Sequence, residues 1–380
     1  MMSTYFSTLS DALKTAGIFR PCLLLDRDRL DGNIALVKGR LDLGLAVRLV
    51  DKSLACLPLL AHIGKALRHE RFMTFHPPIS EAVLKAFPDA DLLYGKPMPI
   101  GAARAALVKG DADWSRVCWL IDSEERLAEY GALADELGIG LRIAFEIDVG
   151  LHRGGFADPA ALSKALSALP VRLHCEGVMA YEAHAPLIPG LFGGPAKALA
   201  EASAQAAAFV ACLGADQRRI LNIGGSKTAL LHRGGAANEV SMGSAFVLPS
   251  DFDTPGLDGF QPAAFIATPI LKVVEPMLPG PPAVTRLLQA LGRFPRKGCY
   301  LYGGKWMAEP VFPQGMKTNG LLGLSSNQQF MGLPADATAR PGDYAFLRPT
   351  QSEAVLQQFG SIDVFSGGKV IDRWPALPMA

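Results

Sequence analysis

Apolar and polar positions follow a regular rhythm through the first 250 residues. Short apolar runs of β character are each followed by a segment with helical periodicity. "PCLLLD" (21–26) precedes "RLDGNIALVKGRL", and "AVRLV" (46–50) precedes "SLACLPLLAHIGKAL". "RFMTF" (71–75), "DLLYG" (91–95) and "VCWLI" (117–121) lead into "ISEAVLKAF", "IGAARAALVKG" and "SEERLAEYGALADELG". "LRIAFEIDV" (141–149) and "VRLHCEGVMAY" (171–181) lead into "PAALSKALSAL" and "GPAKALAEASAQAAAFVACLG", and "RRILNIGG" (218–225) closes the series. Such alternation predicts a parallel α/β structure. The count of strand runs and a span of about 230 residues favour a (β/α)8 barrel over a doubly wound sheet. No G-x-G-x-x-G follows the first run, which argues the same way.

Beyond residue 250 the pattern changes. "TPILKVVEPM", "KGCYLYGGKW", "DYAFLRP" and "SIDVFSGGKVIDRW" are strand-like runs separated by Gly and Pro, and "VFSGGKVIDRW" is a hairpin signal around Gly367-Gly368. The expected organisation is a barrel over residues 26–250 and a C-terminal β-rich domain over 251–380. The segment 1–25 is expected to pack with the β domain.

Composition narrows the partners. The 37 basic and 36 acidic residues give a net charge of +1, so there is no polyelectrolyte surface to attract nucleic acid or a membrane. A small molecule is the expected partner. The six cysteines form no CxxC pair, and several sit in apolar runs such as "RVCWLI", as small hydrophobes do in a reducing compartment. With no secretory pattern in "MMSTYFSTLSDALKTAG" and no window of membrane-spanning length, a soluble, cytoplasmic protein is expected.

Candidate chemistry comes from asking which polar residues end the barrel strands, because this fold works at the C-terminal strand ends. Lys52 ends the second run, and Asp148 and Arg153 follow the sixth in "FEIDVGLHRGGF". Tyr181 and His184 end the seventh, and Gly224, Gly225 and Ser226 end the eighth. "NIGGSKTAL" offers backbone N–H groups without obstructing side chains, which suits a phosphate, although a plain turn reads the same. "EVSMGSAF" (239–246) adds Gly243 and Ser244 to that cup, or is a strand with a glycine bulge.

A lysine at a strand exit opposite a phosphate site suggests pyridoxal phosphate held as a Schiff base; alone, it would read as a surface lysine. Arg153, in its glycine-flanked turn, is placed to meet the cofactor's phenolate or ring nitrogen, or else is an exposed turn arginine. Tyr181 and His184 are expected against the cofactor ring, with a structural histidine as the alternative for His184. His76 and His152 are read as structural.

With these residues in place, the chain resembles the fold type III pyridoxal-phosphate enzymes, and among them the D-threonine aldolase / D-serine dehydratase group related to alanine racemase. The resemblance runs over nearly the whole chain, through "RPCLLLDRDRLDGNI", "DVGLHRGG", "GVMAYEAH", "GGSKT", "EVSMGSAF", "DYAFLRPTQSEAV" and "GGKVIDRWP". It implies a cofactor barrel with a β domain, Lys52 as Schiff-base lysine, and Arg153 on the phenolate side. It further implies Gly224, Gly225, Ser226, Gly243 and Ser244 at the phosphate, and a homodimer. Many members carry R-P-H-x-K-T-H-K at the lysine. Here "RLVDKSLA" keeps Arg48, expected to support the cofactor from the same strand, and Lys52, but lacks both histidines.

The aldolases and dehydratases bind a divalent metal through an H-x-C or H-x-D pair after a proline. "RPTQSEAV" puts Gln351 and Glu353 at those positions, a poor donor set, so no tightly bound metal is expected. Glu353 then stands as the acid or base at the substrate's β-substituent and Gln351 as a substrate contact. The implied function is a lyase for a D-amino acid, a D-β-hydroxy one above all. A metal-independent amino-acid racemase is the alternative. A non-catalytic cofactor carrier is disfavoured, because such proteins are typically the barrel alone.

Overall fold

The structure is a computed structural model that describes residues 2–68 and 70–378. The chain forms two compact units, one built on Asn33–Phe246 with Phe252–Phe260, the other on the first 32 residues, Val247–Asp251 and Gln261–Ala376.

The strands are β1 (Cys22–Asp26), β2 (Ala46–Val50), β3 (Arg71–Thr74), β4 (Asp91–Tyr94), β5 (Val117–Ile121), β6 (Leu141–Ile147), β7 (Leu173–Ala180), β8 (Ile220–Ile223) and β9 (Glu239–Met242). Among the described residues, β2 to β9 close into a parallel eight-stranded barrel with β9 paired back onto β2. The helices between them begin abruptly. Prolines in the first turn of Leu57–Leu67, Pro77–Ala86 and Pro159–Ser167 start each helix without an N–H to satisfy.

A polar layer sits inside the barrel at the N-terminal ends of the strands. Arg48 Nε donates to Glu239 Oε1 at 2.6 Å, and its Nη2 reaches Glu239 Oε2 and Asp91 Oδ2 at 2.9 and 2.8 Å. Arg142 Nη2 reaches Asp91 Oδ1 at 2.6 Å and its Nε meets Glu176. Asn222 bridges Glu239 and Ser241. Burial opposes the Arg48 charge, but Glu239 and Asp91 outweigh it and raise the guanidinium's pKa above its ordinary value.

The other unit holds the remaining strands: β10 (Ala264–Val274), β11 (Lys297–Tyr302), β12 (Ala308–Phe312), β13 (Lys317–Thr318), β14 (Gln328–Leu333), β15 (Tyr344–Pro349), β16 (Ser361–Ser366) and β17 (Lys369–Pro375). Among the described residues they form a sheet in the order β13-β14-β11-β10-β1-β16-β17, with β15 also on β10 and β12 on β15. The β16–β17 hairpin turns at Gly367 and Gly368, whose φ of 57° and 81° need residues without a Cβ. The helix Met2–Thr15 adds Phe6, Leu9 and Leu13 to a core with Leu24, Phe265 and Phe346.

One expected strand changes place. "PCLLLD" was counted among the eight strand runs of the barrel, although residues 1–25 were expected to pack with the β domain; β1 lies in the second sheet, antiparallel to β10 and parallel to β16. All five of its residues are buried, the pattern a barrel strand also shows, so hydrophobicity cannot separate the two settings. The barrel's closing strand is instead β9, whose Glu239 and Ser241 serve the interior polar layer.

Candidate active site

Lys52 lies just past β2, in the short turn Asp51–Leu54, and its Nζ stands 4.9 Å from the centre of the Phe75 ring. Beside it, β9 ends at Met242 and Gly243 follows. The register Leu49↔Met242 sets Gly243 against the exit of β2, so closely that a Cβ there would come within 2.9 Å of the Cβ atoms of Val50 and Ser53. Gly243 N–H and Ala245 N–H both donate to Ser226 Oγ, at 3.1 and 3.2 Å. Two backbone donors thus converge on one oxygen next to the Lys52 turn. Gly225 completes this loop under Tyr181, since a Cβ on it would lie 2.6 Å from the Tyr181 ring.

Gly224 plays a different part from the one expected. Its N–H donates to Glu182 Oε2 at 3.0 Å, and Glu182 Oε1 pairs with His232 Nε2, also at 3.0 Å. Its φ of 83° supplies the left-handed turn, and the fully buried Glu182 pins it. Ser244 is buried at the start of the short helix Ser244–Val247.

The turn after β6 is organised by Asp148. Its Oδ1 accepts the N–H groups of Gly150 and His152, and its Oδ2 pairs with His152 Nδ1 at 2.7 Å. The turn carries Arg153 to 3.2 Å from Glu146 and to 5.2 Å from the centre of the Tyr181 ring. Burial raises the Glu146 pKa and Arg153 counters it. His184 Nε2 lies 3.1 Å from where a Gly150 Cβ would be, and its buried Nδ1 has no hydrogen-bond partner. Lys52, Arg153, Tyr181, His184, Gly225, Ser226 and Gly243 thus all lie at the C-terminal ends of the barrel strands.

Arg48 does not join them. The expectation that it supports the cofactor meets a side chain 1% exposed, held by Glu239 and Asp91 among the first residues of the strands. A guanidinium held by the buried Glu239 and the partly exposed Asp91 at that level of the barrel is spent on the interior.

Gln351 and Glu353 belong to the other unit. Gln351 Nε2 donates to Asp251 Oδ2 at 2.8 Å, and Glu353 stands in the first turn of the helix Ser352–Phe359. The Gln351 amide nitrogen is thereby used as a donor, and its neutral carbonyl oxygen beside a single carboxylate is a weaker donor set than the imidazole and thiolate or carboxylate of an H-x-C or H-x-D pair.

Two features escaped the reading of motifs. The Ala245 donor is a backbone group, invisible in a side-chain search. Asp51 stood in plain view beside Lys52, but its full burial did not. Neither of its carboxylate oxygens has a well-formed hydrogen bond, and burial pushes its pKa up to about 7 against the Thr74 hydroxyl and Lys52. A folded pKa above the unfolded value of about 3.9 makes the native state bind more protons, so stability falls as pH rises through that window and is lowest above 7. Asp51→Asn should therefore gain stability over wild type between pH 5 and pH 8, by roughly 2–3 kcal/mol. Thermal unfolding at the two pH values measures this, and an equal difference at both would remove the buried-acid assignment.

The "Alanine racemase, N-terminal domain" family pattern matches residues 25–251. No curated protein sequence matches the chain. Among solved structures, the D-threonine aldolase from Filomicrobium marinum superposes with a TM-score of 0.71 at 16% identity, covering 94% of this chain and 96% of that one. The D-threo-3-hydroxyaspartate dehydratase from Delftia sp. HT23 gives 0.68 at 16% identity, covering 94% and 97%. The alanine racemase from Bacillus anthracis with bound L-Ala-P gives 0.68 at 15%, covering 94% and 98%. At these identities the neighbours speak for the fold, while the family pattern spans more than half of the sequence: the chain belongs to the alanine racemase N-terminal-domain family, the type III fold of pyridoxal-phosphate enzymes.

Proposed function

We propose that this chain is a pyridoxal-phosphate-dependent lyase acting on a D-amino acid, a D-β-hydroxy amino acid above all, by elimination or retro-aldol cleavage. The observation that carries the cofactor assignment is the pair of N–H donors converging on Ser226 Oγ directly beside the Lys52 turn. That arrangement suits a phosphate oxygen, with a lysine within reach for the covalent link. Ser226, Gly225, Gly243, Ser244 and the Ala245 N–H would hold the phosphate, with Gly224 shaping the loop. Tyr181 would lie against the ring and Arg153 at its phenolate side.

Pyridoxal phosphate, when bound, supplies an electron sink that makes the bonds at a substrate's Cα labile. Lys52 first holds the cofactor and then, as a free amine, takes the proton from Cα. His184, its Nδ1 unpartnered, is assigned a second proton-transfer role. Glu353 is assigned the β-hydroxyl, as acid for its departure or base for its deprotonation. Gln351 is assigned a substrate contact. A neutral amide and one carboxylate at positions 351 and 353 hold a divalent metal poorly. Homodimer formation is part of the proposal.

Purified protein incubated with D-serine, D-threonine and D-3-hydroxyaspartate, with and without chelator, separates the readings. Oxo acid, or glycine plus aldehyde, formed equally with chelator is the expected result. Products that vanish with chelator would overturn the metal-free account. The second reading, an amino-acid racemase, is favoured by the weak metal-donor set of Gln351 and Glu353, since racemisation needs only proton transfer at Cα. Formation of the opposite enantiomer alone would replace the lyase by it.

A further inference from the structure

Three basic side chains stand at the exits of three adjacent barrel strands. Lys52 follows β2, His76 follows β3 and Lys96 follows β4. The pairing Thr74↔Tyr94, continued by Gly95 N–H to the Thr74 carbonyl at 2.9 Å, brings His76 level with Lys96. The Phe75 ring leans over Gly95, where a Cβ would come within 2.4 Å of it, and the Lys52 ammonium stands 4.9 Å from the same ring's centre. One aromatic ring thus links the three exits.

Burial, and then the Lys96 and Lys52 ammonium groups, hold the His76 pKa below its ordinary value. The imidazole therefore lies within electrostatic reach of both lysines. Among the described residues, neither the Lys96 ammonium nor the His76 ring has a hydrogen-bond or ion-pair partner, and both side chains are partly exposed. Lysines on the neighbouring helices behave otherwise. Lys85 pairs with Glu81, and Lys109 with Glu81 and Asp111. Asp51, next to Lys52 in the chain, is fully buried and faces the Thr74 hydroxyl and the Lys52 ammonium. His76 and Lys96, two neighbouring basic groups without a paired carboxylate, repel one another when both are charged, and an arriving anion relieves that repulsion.

The cofactor's phosphate is provided for elsewhere. Ser226 and Gly243 flank β2 on its β9 side, whereas His76 and Lys96 lie on its β3–β4 side. From this arrangement we infer that His76 and Lys96 form a subsite for a second carboxylate of the substrate, so that the chain acts on a dicarboxylic amino acid. The inference rests on the lyase reading for its chemistry but not for the anion site itself.

Two measurements on the full-length protein test it. Calorimetric titration should show succinate binding more tightly than butyrate, with Lys96→Gln and His76→Asn each weakening succinate about tenfold, as the loss of one charge-assisted contact does. In turnover, the same variants should lower the kcat/KM ratio of D-3-hydroxyaspartate over D-serine about tenfold. Lys109→Gln, paired on the surface, should leave that ratio at the wild-type value. Equal losses on both substrates would mean that the cations hold the α-carboxylate common to all amino acids, and would overturn the inference. So would succinate binding no better than butyrate. The visible absorbance of the Lys52 Schiff base, recorded on the same samples, keeps the two claims apart. An absent band with intact succinate preference sinks the lyase reading and keeps the subsite; a normal band without that preference sinks the subsite alone.

Discussion

Replacing Lys52 by Ala is expected to lower turnover by at least about 10³-fold, because one side chain supplies both the covalent anchor and the proton acceptor at Cα. The visible absorbance of the bound cofactor should shift to that of a non-covalently held aldehyde. The fold should survive, since Lys52 sits in a partly exposed turn and not in the packed interior. The phosphate cradle is built from Ser226, Gly243 and Ala245, so the variant should still retain the cofactor by affinity. Added methylamine offers a check, since it can replace the missing amine and should restore part of the proton transfer. A variant that turned over at the wild-type rate would remove Lys52 from the chemistry.

Arg48→Ala is expected to act on stability instead. The substitution leaves Glu239, 1% exposed, without its main counter-charge inside the barrel, while Asp91 keeps Arg142. Breaking a buried pair by removing one partner costs about 3–5 kcal/mol, because a charge stays behind in a poorly polarisable interior. For a protein of this size that corresponds to a fall in Tm of roughly 5 °C. Glu239→Gln in the same chain should recover part of the loss, since an amide tolerates burial better than an unpaired carboxylate. The cost should be the same with and without cofactor. A loss of cofactor affinity at unchanged Tm would return Arg48 to the site.

The rhythm of apolar runs and helical segments made the barrel readable, because a parallel strand buried on both faces reads as a short continuous hydrophobic stretch. "VCWLI" is buried at every position in β5. The same property misplaced "CLLLD", which is as fully buried in a different sheet. The closing strand "EVSM" was harder to see, because its Glu239 and Ser241 point into the barrel where apolar residues are usual. Lys52 was legible as a charge at the end of an apolar run. The fate of Arg48, four residues earlier on the same strand, depended on which carboxylates the closure of the barrel would bring to it. No local pattern holds that information, since Glu239 lies 191 residues away. In the same way, "GGS" announced a loop suited to an anion, but only the backbone conformation reveals that the Gly224 N–H turns to Glu182 and that the Gly243 and Ala245 donors converge on Ser226.

The central claim is that Lys52 carries pyridoxal phosphate beside the Ser226 cradle. Reduction of the cofactor-loaded protein with borohydride, followed by mass mapping of its peptides, tests this most directly. The account predicts a stable pyridoxyl-phosphate adduct on the peptide containing Lys52. An adduct at another lysine, or none after loading with excess cofactor, would contradict it.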